Sequence, residues 1–194
     1  MKLPKFYKWV EDHKISFLGV VTLRNPIDAW MIQQIMWTNR PNFLVETGTF
    51  MGGSALYYAS MFDLMGSGKV ISIDNNPVAG GPRHPRIEYM VGSSVNEGIV
   101  NQVREQVSGR SCMVILDSEH SYDHVKAELE TYSQIVTPGQ YLVVEDGNPC
   151  TEVVQACDEF LASHHLEFER LDEFDEVLYE ISFNYRGWFR RAAA

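Results

Sequence analysis

The sequence is short of cysteine, of basic charge and of long apolar runs, and each shortage removes a class of protein. Cys112, Cys150 and Cys157 are the only cysteines, an odd set without a C-x-x-C pair. They supply neither a disulfide framework nor a zinc site, and a reducing cytoplasm is the expected setting. Lys and Arg number 16 against 26 Asp and Glu, for a formal net charge of −10. That balance repels phosphate backbones and sets nucleic acid aside as a partner. No stretch reaches the roughly 20 apolar residues of a membrane span. Glu11, Asp12 and His13 interrupt the basic start before a signal-peptide core develops, so neither membrane insertion nor export is expected. The G-x-G-x-x-G spacing of dinucleotide binders is also missing, which lowers the case for NAD.

What is present is an alternation of strand-like and helix-like segments. A chain of 194 residues suffices for one buried core, and one domain, residues 1–194, is expected, with 1–40 as an amino-terminal helix and lid segment. Asn25-Pro26-Ile27-Asp28 reads as an N-cap with proline at the first helical position, opening a helix through Trp37. Strands are predicted at Phe43–Glu46, Lys69–Asp74, Ile87–Val91, Cys112–Leu116 and Gln140–Val144. Helices are predicted at Ser54–Phe62, Asn96–Val107, Tyr122–Ile135 and Thr151–Ser163. Two closing strands, Phe168–Leu171 and Val177–Phe183, flank the acidic turn Asp172–Glu176 as a hairpin. The expectation is an α/β, Rossmann-like fold: a mainly parallel seven-stranded sheet with an antiparallel edge strand and helices on both faces.

Ligands bind open α/β sheets beyond the carboxyl ends of the strands. After the first strand comes Glu46-Thr47-Gly48-Thr49-Phe50-Met51-Gly52-Gly53-Ser54, where glycines permit close backbone approach and Ser54 is placed to cap a helix that attracts a carboxylate. Asp74 ends the second strand, where a carboxylate can accept from both ribose hydroxyls. Gly92-Ser93-Ser94 follows the third strand, with hydroxyls placed for an adenine ring. Taken singly, the glycine turn also fits plain turn chemistry and Asp74 a strand-ending turn residue; their order is the stronger signal. Asp117 closes the fourth strand and Glu145-Asp146 the fifth, so adjacency brings three mutually repelling carboxylates to one rim. A hard divalent cation relieves them, and Mg²⁺ fits; the same residues also read as solvated strand ends or helix caps.

In these residues the sequence resembles the class I S-adenosylmethionine-dependent methyltransferases, and within them the cephalosporin hydroxylase and rhamnosyl O-methyltransferase family. The likeness is carried by Val45-Glu46-Thr47-Gly48-Thr49 with Gly52-Gly53-Ser54-Ala55, by Ile73-Asp74 and Gly92-Ser93-Ser94, and by Leu116-Asp117-Ser118-Glu119-His120. Leu142-Val143-Val144-Glu145-Asp146 and the segment from Ser182 to Arg191 extend it. The resemblance implies a S-adenosylmethionine site built from Glu46, Gly48, Thr49, Gly52, Ser54, Asp74, Ser93, Ser94 and Asp117. The spacing of Asp117 to Glu145-Asp146 is similar to the metal ligands of catechol-type O-methyltransferases, whose lysine base, three positions after the first ligand, is replaced here by His120. His120 is then the candidate base, or a group that orients a ligand or caps a helix; with Asp117 it forms the candidate catalytic pair.

The expected reaction is methyl transfer to a hydroxyl of a sugar or diol-bearing small molecule, with Mg²⁺ bound. The alternatives are an antibiotic-tailoring protein like cephalosporin hydroxylase, or a non-catalytic cofactor-binding subunit. An iron oxygenase needs an H-x-D pair that His120 to Asp123 does not provide. Phe6–Leu23 is read as a lid or homo-oligomer contact, and Arg186, Arg190 and Arg191 as holding an anionic substrate or a neighbouring subunit. Trp30, Trp37, Tyr57 and Tyr58, at helical spacings, are read as core.

Overall fold

A computed structural model describes residues 3–178 and 181–193. Helix α1 (Leu3–His13) and a small hairpin, β1 (Ser16–Phe17) and β2 (Val20–Val21), precede α2 (Pro26–Asn39). The alternation follows: β3 (Phe43–Thr47), α3 (Gly53–Met65), β4 (Lys69–Asp74), β5 (Ile87–Val91), α4 (Glu97–Val107), β6 (Cys112–Leu116) and α5 (Tyr122–Tyr132). The chain closes with β7 (Tyr141–Val144), α6 (Thr151–His164), β8 (Phe168–Arg170), α7 (Asp172–Leu178) and β9 (Trp188–Arg191). Strands β3 to β9 form one seven-stranded sheet in the order β5-β4-β3-β6-β7-β9-β8. Every pairing is parallel except the two made by β9.

Period-two alternation explains why the central strands carry almost no polar residues. Val45, Ile71, Val114, Leu116 and Leu142 face one side, where α4, α5 and α6 cover them. Leu44, Val70, Met113, Ile115 and Val143 face the other, under α2 and α3. Among the described residues no helix is long and apolar enough to cross a membrane.

The edge pair is antiparallel as expected, but its residues differ. Asp172–Glu176 is not a hairpin turn: it opens helix α7, where acidic side chains in the first turn favour the positive end of the dipole. The expected strand Val177–Phe183 includes residues 179 and 180, outside the described set, and its described residues are a helix end and a loop. The antiparallel strand is β9, one place in from the rim strand β8. It fits there because Trp188 and Phe189 alternate into the two opposite cores. The carboxy-terminal arginines are engaged within their own chain: Arg186 with Asp158 at 2.8 Å, Arg190 with Glu169 at 3.8 Å and Arg191 with the Val136 carbonyl at 2.6 Å. Tyr58 is core and Tyr57 lies against it, but Trp30 and Trp37 are 64% and 56% exposed, contrary to the core reading.

Two local devices position the site. The Asn25 side chain caps α2 by accepting from the Ile27 N–H at 3.0 Å, and its amide donates to the Ile181 carbonyl. Asp28, one turn on, accepts from the Phe183 N–H at 2.7 Å. The start of α2 therefore clasps the segment leading into β9. The second device is the hairpin, turned by Leu18 and Gly19 at φ 49° and 82°. Strand β2 lies so close to the start of α3 that a Cβ on Gly53 would collide with the Val21 carbonyl.

Burial pushes the Asp28 carboxyl up to about 7, against the opposing pull of its Phe183 and Ser182 hydrogen bonds. The unfolded chain then releases this proton at lower pH than the folded one, so stability falls as pH rises from about 4 to 7. Asp28→Asn keeps the acceptor and removes the ionisation. Its melting temperature is expected to change less between pH 5 and pH 8 than that of the wild type, as thermal unfolding at the two values will read. Gly48 has φ 83°, and a Cβ there would overlap the Asp117 carbonyl where β3 and β6 end side by side. Gly48→Ala is expected to cost more than about 3 kcal/mol of stability, measured by denaturant unfolding.

Candidate active site

Because β3, β6 and β7 are adjacent and in parallel register, the residues just past their ends must converge. Thr47 pairs with Leu116 and Leu116 with Val144. The ladder runs on through the Asp117 N–H to the Thr47 carbonyl at 3.1 Å and the Glu145 N–H to the Leu116 carbonyl at 2.9 Å. Above these ends lies a cavity of about 530 Å³, within the range of pockets that hold small molecules. Gly48, Thr49, Ser54, Asp74, Ser94, Asp117, His120, Glu145 and Asp146 all line it. Glu46, Gly52 and Ser93 do not.

At one end the glycine turn and the second strand are tied together. Asp74 Oδ2 accepts from the backbone N–H groups of Thr49 and Phe50 at 2.9 and 3.0 Å, and Oδ1 from Asn76 N–H at 2.8 Å. These bonds fix the turn and leave Asp74 on the cavity wall with about one of its roughly four acceptor sites still open. Ser54 does not cap α3; Gly52 is the N-cap residue and makes no side-chain cap. The Ser54 hydroxyl instead supports Glu46, which also accepts from Ser72 Oγ at 2.7 Å.

Ser94 belongs to a polar cluster that the sequence did not announce. His124 Nε2 lies 3.2 Å from Ser94 Oγ and 3.1 Å from Ser118 Oγ, and Ser118 donates to Glu128 Oε1 at 2.7 Å. The hydrogen bond to buried Glu128 is the main influence that raises the His124 pKa. A His and a Glu one helical turn apart on α5 carry a faint signal of this pairing.

At the other end His120 Nε2 faces Asp117 Oδ1 at 3.6 Å and Asp146 Oδ2 at 3.5 Å. One atom from each of the three lies within 4.8 Å of the others, a spacing that suits a shared cation. His120 Nε2 is buried, has no hydrogen-bond partner among the described residues and points into this group. Burial lowers the His120 pKa, but the two aspartates outweigh it and the net shift is upward. Burial and the charge of Asp117 push Asp146 up to about 6. Asp146 sits at φ 61°, a left-handed conformation that Asp adopts more readily than most residues. Tyr7 of α1 reaches over this rim and donates to Asp146 Oδ2 at 3.3 Å, while its ring packs on Phe183 at 4.7 Å.

Glu145 stands apart from that trio. Its Oε1 accepts from Asn184 Nδ2 at 3.4 Å and pairs with Arg24, a residue to which no spacing pointed. Arg24 leaves the hairpin just before the α2 cap and is buried among three strand ends. It reaches Glu46 at 3.1 Å, Asp117 at 3.2 Å and Glu145, with its guanidinium 5.3 Å from the Tyr58 ring centre. Burial opposes its charge, yet Tyr58, Asp117 and Glu46 hold its pKa above the ordinary arginine value.

With this geometry in place, comparison with known proteins is informative. The family described as Rhamnosyl O-methyltransferase/CmcI matches residues 8–192. The rhamnosyl O-methyltransferase of Mycobacterium tuberculosis is 32% identical over 155 residues, covering 74% of this chain and 63% of that protein. The corresponding protein of Mycobacterium leprae is 31% identical over 154 residues, covering 74% of this chain and 67% of that one. The chain thus spans about 63% of the length of the M. tuberculosis relative. Among solved structures, CmcI with Mg and SAM superposes with a TM-score of 0.73 at 20% identity, over 92% of this chain and 77% of the other. The TDP-rhamnose 3′-O-methyltransferase of calicheamicin biosynthesis superposes with a TM-score of 0.58 at 15% identity, over 75% and 74%. Both share the fold. By the extent of the match, the chain belongs to the rhamnosyl O-methyltransferase/CmcI family.

Proposed function

We propose that the protein is a S-adenosylmethionine- and Mg²⁺-dependent O-methyltransferase acting on a hydroxyl of a sugar or diol-bearing small molecule. The observation that carries this reading is one cavity with two chemically distinct ends. A glycine turn pinned by Asp74 forms one end, and Asp117, His120 and Asp146 form the other. The curated relatives named rhamnosyl O-methyltransferases support a sugar hydroxyl as the acceptor class.

Gly48 and Thr49 would offer close backbone approach to the methionine part, Asp74 would accept from a ribose hydroxyl, and Ser94 with His124 would face the adenine. Glu46, Gly52 and Ser93 act from behind the cavity wall, Ser93 by shaping the turn that presents Ser94. Asp117 and Asp146 would hold the metal, with Glu145 as the third carboxylate. When bound, S-adenosylmethionine supplies the methyl group and Mg²⁺ lowers the pKa of a hydroxyl beside it. His120 would take up the acceptor hydroxyl's proton at Nε2, with Asp117 and Asp146 beside it to favour the protonated ring. Tyr7 of α1 lies over the rim through its bond to Asp146. Alignment of donor and acceptor in one cavity does much of the remaining work.

Calorimetry with S-adenosylmethionine, with and without chelator, is expected to show binding in both conditions; no heat in either removes the cofactor reading. Asp146→Asn is isosteric and tolerates the positive φ. It is expected to abolish metal-dependent turnover while cofactor binding stays within about threefold, and retained metal-dependent activity contradicts the metal assignment. A base must be unprotonated to work, so wild-type turnover should fall as pH drops through the His120 pKa. His120→Gln is expected to lose that acidic limb and about 10²-fold in rate, read from a pH–rate profile.

A further inference from the structure

Within the carboxylate rim the cations are unevenly shared. Glu46 and Glu145 are both buried, and among the described residues each pairs with Arg24. Asp117 is divided: Oδ2 faces Arg24 at 3.2 Å and Oδ1 faces His120 at 3.6 Å. Asp146 turns away, to His120 and Tyr7. The group whose atoms converge on one point is therefore Asp117, His120 and Asp146, while Glu145 pairs with the guanidinium instead.

We infer that Arg24 is a resident cation that competes with the divalent metal for Glu145 and for the second oxygen of Asp117. This rests on the metal reading of the rim proposed above and goes beyond it. Buried carboxylates cannot be left unpaired without protonation or loss of stability, so a rim with no metal needs a counter-charge in place. Arg24 supplies it. An arriving divalent ion then meets a fixed positive charge that binds the same carboxylates and repels it across a few ångströms. At an effective dielectric constant of about 20 that repulsion exceeds thermal energy. Arg24 thus holds metal affinity below what the carboxylates alone would give, and metal binding transfers Glu145 from arginine to ion. Loss of Arg24 also slackens the aim of Asp117, which works in the opposite direction. The charge effect dominates because it acts on the ion directly, and Asp117 keeps His120 as a partner.

The test is titration of the full chain with Mn²⁺ alone, free Mn²⁺ being read by electron paramagnetic resonance, for wild type, Arg24→Met, Arg24→Lys and Asp146→Asn. Arg24→Met is expected to bind Mn²⁺ at least tenfold more tightly than wild type, and Arg24→Lys, which keeps the charge, within about threefold of it. Adding Glu145→Gln to Arg24→Met should return the affinity towards wild type, because the freed carboxylate is the source of the gain. Equal or weaker binding by a folded Arg24→Met chain overturns the inference. Circular dichroism reports folding, and Arg24→Gln, neutral but able to hydrogen-bond, carries the same expectation if the methionine variant does not fold. Binding in wild type that Asp146→Asn leaves unchanged, or no binding in any variant, overturns the metal reading and the inference with it.

Discussion

Neighbouring parallel strands that end together cannot choose which side chains meet beyond their ends, and in this protein the ones that meet are carboxylates. Asp117 and Glu145 follow from the register of β6 and β7, Asp146 adds a third, and Glu46, the last residue but one of β3, joins them from below through Arg24. The sheet core beneath them is apolar, so they cannot be screened from below. Much of the surrounding structure answers that repulsion. Ser72 and Ser54 donate to Glu46, Asn184 to Glu145 and Tyr7 to Asp146, while Arg24 holds three of the four together.

The parts of the fold that the sequence made legible are those with strong periodicity. The strands ending at Asp74, Leu116 and Val144 were readable because burial on both faces leaves them nearly all apolar, and the α2 start was readable from Asn25-Pro26. The closing strand was misplaced because Val177–Phe183 alternates as well as Trp188–Arg191 does. Only tertiary packing separates them: Phe174 of α7 meets Trp188 edge-on at 5.4 Å, which requires the helix and the later strand together. In the site, residues at strand ends could be found by position alone. Arg24, Tyr7, His124 and Glu128 could not, since each acts through a partner distant in sequence or through a face of a helix whose orientation the sequence does not state. Trp30 and Trp37 were misassigned because helical spacing shows that they share a face and not which way that face points.

The segment before β9 joins regions that are otherwise far apart in the chain. Asn25 and Asp28 grip it at Ile181 and Phe183, Phe183 supports Phe6 and Tyr7 of α1, and Asn184 touches Glu145. Helix α1, the start of α2 and the carboxylate rim therefore rest on the same few residues.

The hairpin of β1 and β2 carries a consequence for how such a chain can vary. Its tip is turned by Leu18 and Gly19, its second strand is wedged against Gly53, and only Thr22 and Leu23 separate it from Arg24. On the other side Arg24 is followed at once by the Asn25 cap, which is itself anchored. With both flanks fixed, the intervening chain has no slack. Length changes that surface loops ordinarily absorb would here shift the guanidinium by a residue's rise, so this stretch should behave in evolution as a fixed-length spacer, free to change letters but not to gain or lose one.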